Sequence, residues 1–243
     1  MRPVLCTGRR YRRARPIAEA LGLDTPLVCN SGALVKEPGS HRTLWRANLD
    51  GGLARRLLNL FDQLDEPTVS FTDRLPDQAD FRVVRKPVGR AAFDDYLSQN
   101  EGHAEVDPHW TTRLDGEPHY HLCAIGELPR MLEVETAIHE RFPDLVRTFV
   151  QRSPRYLGTM CEVLDRQASK WSALLHLAEL WGIDAAEICA VGDDKNDVPM
   201  LEGAGFGVAM GQAPDDVRAI ADHVTLDDDN DGLAHLIDHV LLR

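Results

Sequence analysis

The chain has 243 residues, 43% hydrophobic and 27% charged, which suits one large domain or two modest ones and is too apolar for wholesale disorder. Its 39 acidic residues outnumber 27 Lys and Arg, a formal net charge of −12, so most of the surface repels nucleic acid and anionic lipid, and an anionic ligand needs a local positive site. Scattered Gly and Pro, the lack of an 18-residue apolar run and five widely spaced cysteines without a CxxC pair exclude collagen, a membrane span, a zinc cluster and a disulfide framework, and a cytoplasmic protein is expected.

Val4-Leu-Cys6 ends in Thr7-Gly8-Arg9 and reads as a buried strand opening onto a helix. That helix carries Ala14, Ile17, Ala18 and Leu21 at helical spacing and stops at Gly22. The five arginines from Arg9 to Arg15 have no apolar segment behind them and so form no secretory signal; they read as flanking a phosphate site, some of them solvated. A second apolar stretch, 25–35, is broken by Asn30-Ser31-Gly32, making the opening β-α-β. Leu53–Leu64 reads as a helix.

Next come strands at Thr68–Phe71, Phe81–Val84, His119–Ile125 and Val146–Val150, with helices at Ala91–Leu97 and Leu128–Arg141. This is the pattern of an α+β module with its helices on one side of an antiparallel sheet. The α/β rhythm resumes with a strand at Cys161–Leu164, a helix at Lys170–Trp181, a strand at Ile188–Gly192 and a helix at Val198–Leu201. Short strands at Phe206–Ala209 and His223–Thr225 and a helix at Leu233–Leu242 complete the chain. Cys29, Cys161 and Cys189 sit in apolar runs and read as buried core residues.

Chemistry concentrates at Gly192-Asp193-Asp194-Lys195-Asn196-Asp197, where an apolar strand runs out into carboxylates ahead of a helix. Ligands of open α/β sheets bind at such carboxyl ends, and clustered hard oxygens suit Mg²⁺. Thr7 with the amides of the Gly8-Arg9 turn offers a phosphate seat, and Lys170 at a helix start offers a neutralising charge.

These segments, in this order, resemble the haloacid dehalogenase superfamily, in its Cof-type sugar-phosphatase branch. The matching stretches are Cys6–Tyr11 with Pro16–Asp24, Cys29–Leu34, Ser169–Leu174, Val191–Leu201 and Gly207–Ala213. The resemblance implies an α/β fold, a Rossmannoid parallel sheet over residues 1–66 and 157–243, with an α+β cap inserted at 67–156. It implies Mg²⁺-dependent hydrolysis of a small phosphorylated metabolite, a sugar phosphate or similar, through an aspartyl-phosphate. Thr7 and Lys170 take catalytic roles, Gly8, Arg9, Asn30, Gly32 and Asn196 contact substrate, and Asp193 and Asp197 serve the metal. Asp194 stands where the family often has Gly. The family's opening Asp-x-Asp-Gly-Thr motif, which carries the nucleophile and the general acid/base, has no counterpart on the first strand. The sheet is therefore expected to lack its first strand, Met1 to be an internal residue of a longer natural protein, and the 243 residues to be inactive or weakly active. The alternative is a binding protein of the same fold that holds a phosphometabolite without turnover.

Three rival patterns fail on context. Asp227-x-Asp229-x-Asp231-Gly232 begins like a calcium loop, but Asp238 replaces the closing Glu and a strand precedes it. Gly203-x-Gly205-x-Gly207 follows a helix and precedes a strand, the reverse of a dinucleotide loop. His103, His109, His119 and His121 with Trp110 suggest a metal, but His119-x-His121 fits two residues on one strand face and reads as solvated strand positions, with a cap residue touching substrate as the alternative.

Overall fold

Ala14 and Ala18, one helical turn apart, are fully buried, and they seat the first helix, α1 (Tyr11–Ala20), against the strand β1 (Leu27–Cys29). The chain turns between them at Gly22, whose φ of 65° is open to glycine without a Cβ penalty. The computed structural model describes residues 1–75, 77–83, 89–106, 118–152 and 155–242. The chain divides into two compact units, Met1–Ala168 and Ser169–Arg243.

In the first unit β1 continues through a tight turn into β2 (Leu34–Lys36) and β3 (Thr43–Arg46), an antiparallel meander. The Val4–Cys6 segment runs parallel to β1 and shares one bridge with it, Cys6 to Val28. It is half-buried rather than the buried strand its apolar run suggests. Helix α2 (Gly51–Gln63) follows, its first turn capped by Asp50, whose Oδ1 accepts from the Leu53 amide at 3.1 Å. Asp50→Ala is expected to lower the unfolding free energy by about 1 kcal/mol, read from the urea midpoint, while Asp50→Ser retains most of it.

The remaining strands of this unit are β4 (Thr68–Phe71), β5 (Phe81–Val83), β6 (Ala104–Val106), β7 (His121–Gly126), β8 (Val146–Arg152) and β9 (Thr159–Asp165), in the order β6-β5-β4-β7-β9-β8. All neighbours are antiparallel except β5 and β6. The period-2 alternation of β7 divides its side chains between two cores. Cys123 and Ile125 join Val69, Phe71, Phe81 and Leu164 on one face, with Phe93 and Tyr96 of α3 (Ala91–Ser98). Leu122 and Ala124 join Cys161 and Val163 on the other, with α2 and Met131, Val134 and Ile138 of α4 (Leu128–Arg141).

Three sequence readings change here. Helices pack on both faces of this sheet, not on one. The strand at Cys161–Leu164 forms as β9, but it lies antiparallel between β7 and β8 instead of opening the second α/β stretch. A central antiparallel strand buried on both faces has the same continuous apolar run as a parallel one, so periodicity cannot separate them. The short β3 and β6, partly exposed and with weak patterning, were not anticipated.

The second unit begins with α5 (Lys170–Trp181), whose N-terminus is closed by a reciprocal Ser169–Ser172 capping box and whose C-terminus stops at left-handed Gly182. Parallel strands β10 (Cys189–Gly192), β11 (Phe206–Ala209) and β12 (His223–Val224) lie in that order. The crossovers are α6 (Val198–Gly203) and α7 (Asp215–Arg218), so this stretch is built of βαβ units. Ala173, Leu177, Ala190, Met200, Leu201, Val208 and Val217 are buried in this unit. Cys189, expected inside, is exposed: β10 pairs only with β11 among the described residues, and Cys189 is its first residue. The terminal helix is α8 (Gly232–Leu236) followed by one wider turn over Ile237–Leu241, not a single α-helix. All five cysteines are free thiols. Among the described residues no helix is long and apolar enough to cross a membrane.

Candidate active site

In the first unit the sequence-predicted Thr7-Gly8-Arg9 turn is held against the Asn30–Gly32 turn by backbone hydrogen bonds. The Asn30 amide donates to the Arg9 carbonyl at 3.0 Å and the Ser31 amide to the Thr7 carbonyl at 3.2 Å. Thr7 Oγ1 accepts from the Arg9 amide at 3.1 Å, which leaves the hydroxyl proton free to donate. Asn30 and Ser31 both adopt left-handed backbone, with φ of 51° and 55°. Each costs about 1–2 kcal/mol relative to the ordinary helical region, so two in succession need support from their surroundings. The side chains of Asn30 and Ser31 are buried, and among the described residues Asn30 Oδ1 has no hydrogen-bond partner.

The arginine cluster is more structural than its sequence suggests. Arg9 is exposed, but Arg10 is buried, bonded to Asp80 at 2.8 Å and to Asn100, with its guanidinium 5.0 Å from the Phe81 ring centre. Arg12 also pairs with Asp80 at 3.5 Å, and Arg13 donates to the Gln99 carbonyl at 3.1 Å. The guanidinium fork suits such multidentate anchoring, and α1 is thereby tied to loops of the six-stranded sheet. His119 and His121 are likewise not solvated: they are 3% and 1% exposed. His109 and Trp110 lie outside the described residues.

In the second unit, Lys170 opens α5 with its ammonium turned inward, and Nζ donates to Asp197 Oδ1 at 2.5 Å and Asn196 Oδ1 at 2.9 Å. Asp197 Oδ2 accepts from the amides of Asp193 and Asp194 at 3.1 and 3.2 Å. One buried carboxylate thus ties the lysine to the loop that leaves β10. The approach is close: a Cβ on Gly192 would lie 2.4 Å from Asp197 Cβ, so only glycine fits before Asp193. Asp194 is exposed, and its carboxylate caps the following turn by accepting from the Lys195 amide. Asp193 is exposed at the strand tip, and among the described residues its carboxylate has no hydrogen-bond partner. Partial burial, then the neighbouring charges of Asp197, Asp194 and Asp228, raise its pKa above the usual carboxylate value against the opposing pull of Lys170.

The strand tip thus bears Gly-Asp-Asp-Lys-Asn-Asp, with the lysine of the preceding motif, Lys170, bonded to its last carboxylate. A family model of haloacid dehalogenase-like hydrolases matches residues 1–237. The chain belongs to that family. Phosphatase YwpJ of Bacillus subtilis is 30% identical over 262 aligned positions, which cover 98% of this chain and 87% of YwpJ. Pyridoxal phosphate phosphatase YbhA of Escherichia coli is 26% identical, with 96% and 84% of the two chains covered. A haloacid dehalogenase-like hydrolase from Bacteroides thetaiotaomicron superposes with a TM-score of 0.77 at 22% identity, covering 98% of this chain and 85% of that one. By this kinship the chain is a phosphohydrolase of Cof type with an α/β fold and a cap.

The family implies Mg²⁺, which commonly takes one or two carboxylates and completes its shell with water and substrate phosphate. Among the described residues no three His, Cys, Asp or Glu side chains gather to hold a metal. Asp193 nevertheless offers a free carboxylate in a locally negative setting, whereas Asp197 has both oxygens engaged by Lys170 and the loop amides. These residues fit a Mg²⁺ held through one protein carboxylate rather than an all-protein cage.

Sequence reasoning passed over Ser31 and Glu162 and read His121 as a solvated strand position, whereas all three are buried. Ser31 Oγ donates to Glu162 at 2.8 Å, and Asn30 Nδ2 donates to His121 at 3.0 Å, behind the turn that meets Thr7. Ser31 stands beside two residues that the motif reading did select, which was the available signal.

Proposed function

We propose that this chain serves Mg²⁺-dependent hydrolysis of a small phosphate monoester, with a sugar phosphate or similar phosphorylated metabolite as substrate. The observation that carries the reading is the Lys170–Asn196–Asp197 clamp beside the free Asp193 carboxylate. Lys170 Nζ donates two of its three protons to these partners, which leaves one for a phosphate oxygen. In the first unit Thr7 supplies a hydroxyl donor, and the Gly8-Arg9 turn, whose Arg9 amide is taken by Thr7 Oγ1, supplies the Gly8 amide and an exposed guanidinium suited to an anion. Asp193 would hold the metal, with Asp197 fixing its loop from behind, and Mg²⁺ when bound supplies charge neutralisation of the phosphoryl group. The phosphatase names of YwpJ and YbhA support the same reaction class.

The aspartyl-phosphate route needs a nucleophilic carboxylate, and the 243 residues contain no Asp-x-Asp-Gly-Thr segment. In this reading they bind phosphate with Mg²⁺ and turn it over weakly or not at all. That same missing segment favours the second reading, a binding protein without turnover.

The test is p-nitrophenyl phosphate hydrolysis with Mg²⁺, alongside calorimetric binding of Mg²⁺ and of inorganic phosphate. Binding of both with negligible turnover is expected, and Asp193→Asn should weaken Mg²⁺ at least tenfold. Robust turnover that vanishes in Asp193→Asn overturns both the inactivity and the binding-only reading; failure to bind either ion overturns the assignment of Lys170 and Asp193.

A further inference from the structure

Four polar side chains meet behind the Asn30–Gly32 turn, and all are nearly closed to solvent: Asn30, Ser31 and His121 are 1% exposed and Glu162 is 3% exposed. Asn30 Nδ2 donates to His121 Nδ1 at 3.0 Å, so the ring proton belongs on Nε2, which faces Glu162 Oε1 at 3.8 Å. Burial pushes the His121 pKa down to about 3, so the ring is neutral at physiological pH. Ser31 Oγ donates to the other carboxylate oxygen, Glu162 Oε2, at 2.8 Å. His121 and Glu162 stand on adjacent strands, β7 and β9, where His121 faces Leu164 and Glu162 faces Cys123; the two are diagonal neighbours on one sheet face. The His121 ring is backed by Phe71, with centroids 4.4 Å apart.

The arrangement matches the strain in the turn residue for residue. Asn30 and Ser31 are consecutive non-glycine residues in left-handed backbone, and each has one side-chain tether to this pair. Their amides hold the carbonyls of Arg9 and Thr7. A buried carboxylate and a buried imidazole are costly on an apolar sheet face and persist where they meet such a demand.

We propose that His121 and Glu162 are positioning residues: a buried strut from the six-stranded sheet that holds Asn30 and Ser31 left-handed and so fixes the Thr7–Arg9 turn. The functional importance of that turn rests on the phosphate reading given above; the strut itself does not.

The experiment uses the 243-residue chain labelled with ¹⁵N, with inorganic phosphate as the probe. His121→Phe keeps a ring on Phe71 and removes the Nδ1 acceptor; Ser31→Ala removes only the hydroxyl bonded to Glu162. Each is expected to shift the amide resonances of Thr7, Gly8, Arg9 and Ser31, to speed exchange of the Ser31 amide at least tenfold, and to weaken phosphate binding at least fivefold. His121→Asn, which restores an acceptor at the Nδ1 position, and Glu162→Gln, which still accepts from Ser31, should recover most of the wild-type amide pattern. Unchanged Thr7–Arg9 amides in Ser31→Ala overturn the strut, even if His121→Phe fails to fold. Should the amides move while phosphate affinity holds in these variants and in Thr7→Val, the strut stands and the phosphate reading of the turn falls.

Discussion

Lys170→Met is expected to lower the unfolding free energy by about 3–5 kcal/mol, the usual cost of removing one partner from a buried ion pair. The lysine side chain is 8% exposed and that of Asp197 3%, so the carboxylate left behind cannot regain water without opening the unit. Asn196 Oδ1 loses its donor as well. The damage extends past the pair because Asp197 also receives the Asp193 and Asp194 amides and thereby sets the loop that presents Asp193. A methionine fills much the same volume, so the loss reports the charge rather than a cavity. Urea unfolding of Lys170→Met, Asp197→Leu and the double variant forms the decisive cycle. The double variant should be less destabilised than the sum of the singles, because removing both charges strands neither of them, although the Asp193 and Asp194 amides still lose their acceptor. A loss below about 1 kcal/mol for Lys170→Met would mean that Asp197 is solvated or otherwise paired, and that the clamp does not organise the loop.

The same pair shows why this site was legible before any coordinates. Lys170 opens a helix whose cap, spacing and left-handed stop at Gly182 are all local signals, and α5 has the bounds its pattern predicts. The loop after β10 is equally local: Gly192 must be glycine because Asp197 folds back on it, and a short motif therefore carries the whole geometry. What was not legible depends on distant partners. Arg10 reads as a phosphate-flanking residue until Asp80 and Asn100, far along the chain, are seen to bind it. His121 reads as a solvated strand position because one face of a strand is normally wet, yet here both faces of β7 are covered. Cys161–Leu164 carries no mark of which sheet it joins, since pairing partner and direction are long-range choices. Local chemistry was thus readable where a motif folds upon itself, and unreadable where two segments more than about 70 residues apart must meet.

Asp73→Ala is expected to cost a comparable 3–5 kcal/mol, about the loss on stranding a buried lysine, and to change how stability responds to acid. Asp73 lies just beyond β4, and its two oxygens take Lys36 Nζ at 2.6 Å, Arg46 at 2.6 Å and Thr43 Oγ1 at 2.7 Å. These donors come from β2 and β3, so one carboxylate fastens the meander to the six-stranded sheet within the first unit. The Lys36 side chain is 4% exposed and its ammonium lies 5.3 Å from the Tyr11 ring centre; without Asp73 it keeps, among the described residues, the Arg74 carbonyl and that ring. Burial by itself would raise the Asp73 pKa. Hydrogen bonds from Lys36 and Thr43 and the charges of Lys36 and Arg46 outweigh it and hold the carboxyl below its ordinary value. A carboxyl depressed in the folded state stabilises the fold fully above its unfolded pKa, about 4, and loses that contribution as pH falls through the folded value. Wild-type stability should therefore decline on acidification below about pH 5 more steeply than that of Asp73→Ala, which has already lost this term. Urea midpoints at a series of pH values from neutral to strongly acid separate the cases. Parallel acid limbs in the two proteins would show that Asp73 titrates as an ordinary surface carboxyl and that the meander is held by apolar packing alone. Lys36→Met with Asp73→Leu in one chain should recover much of the loss at neutral pH, because it leaves neither charge buried alone.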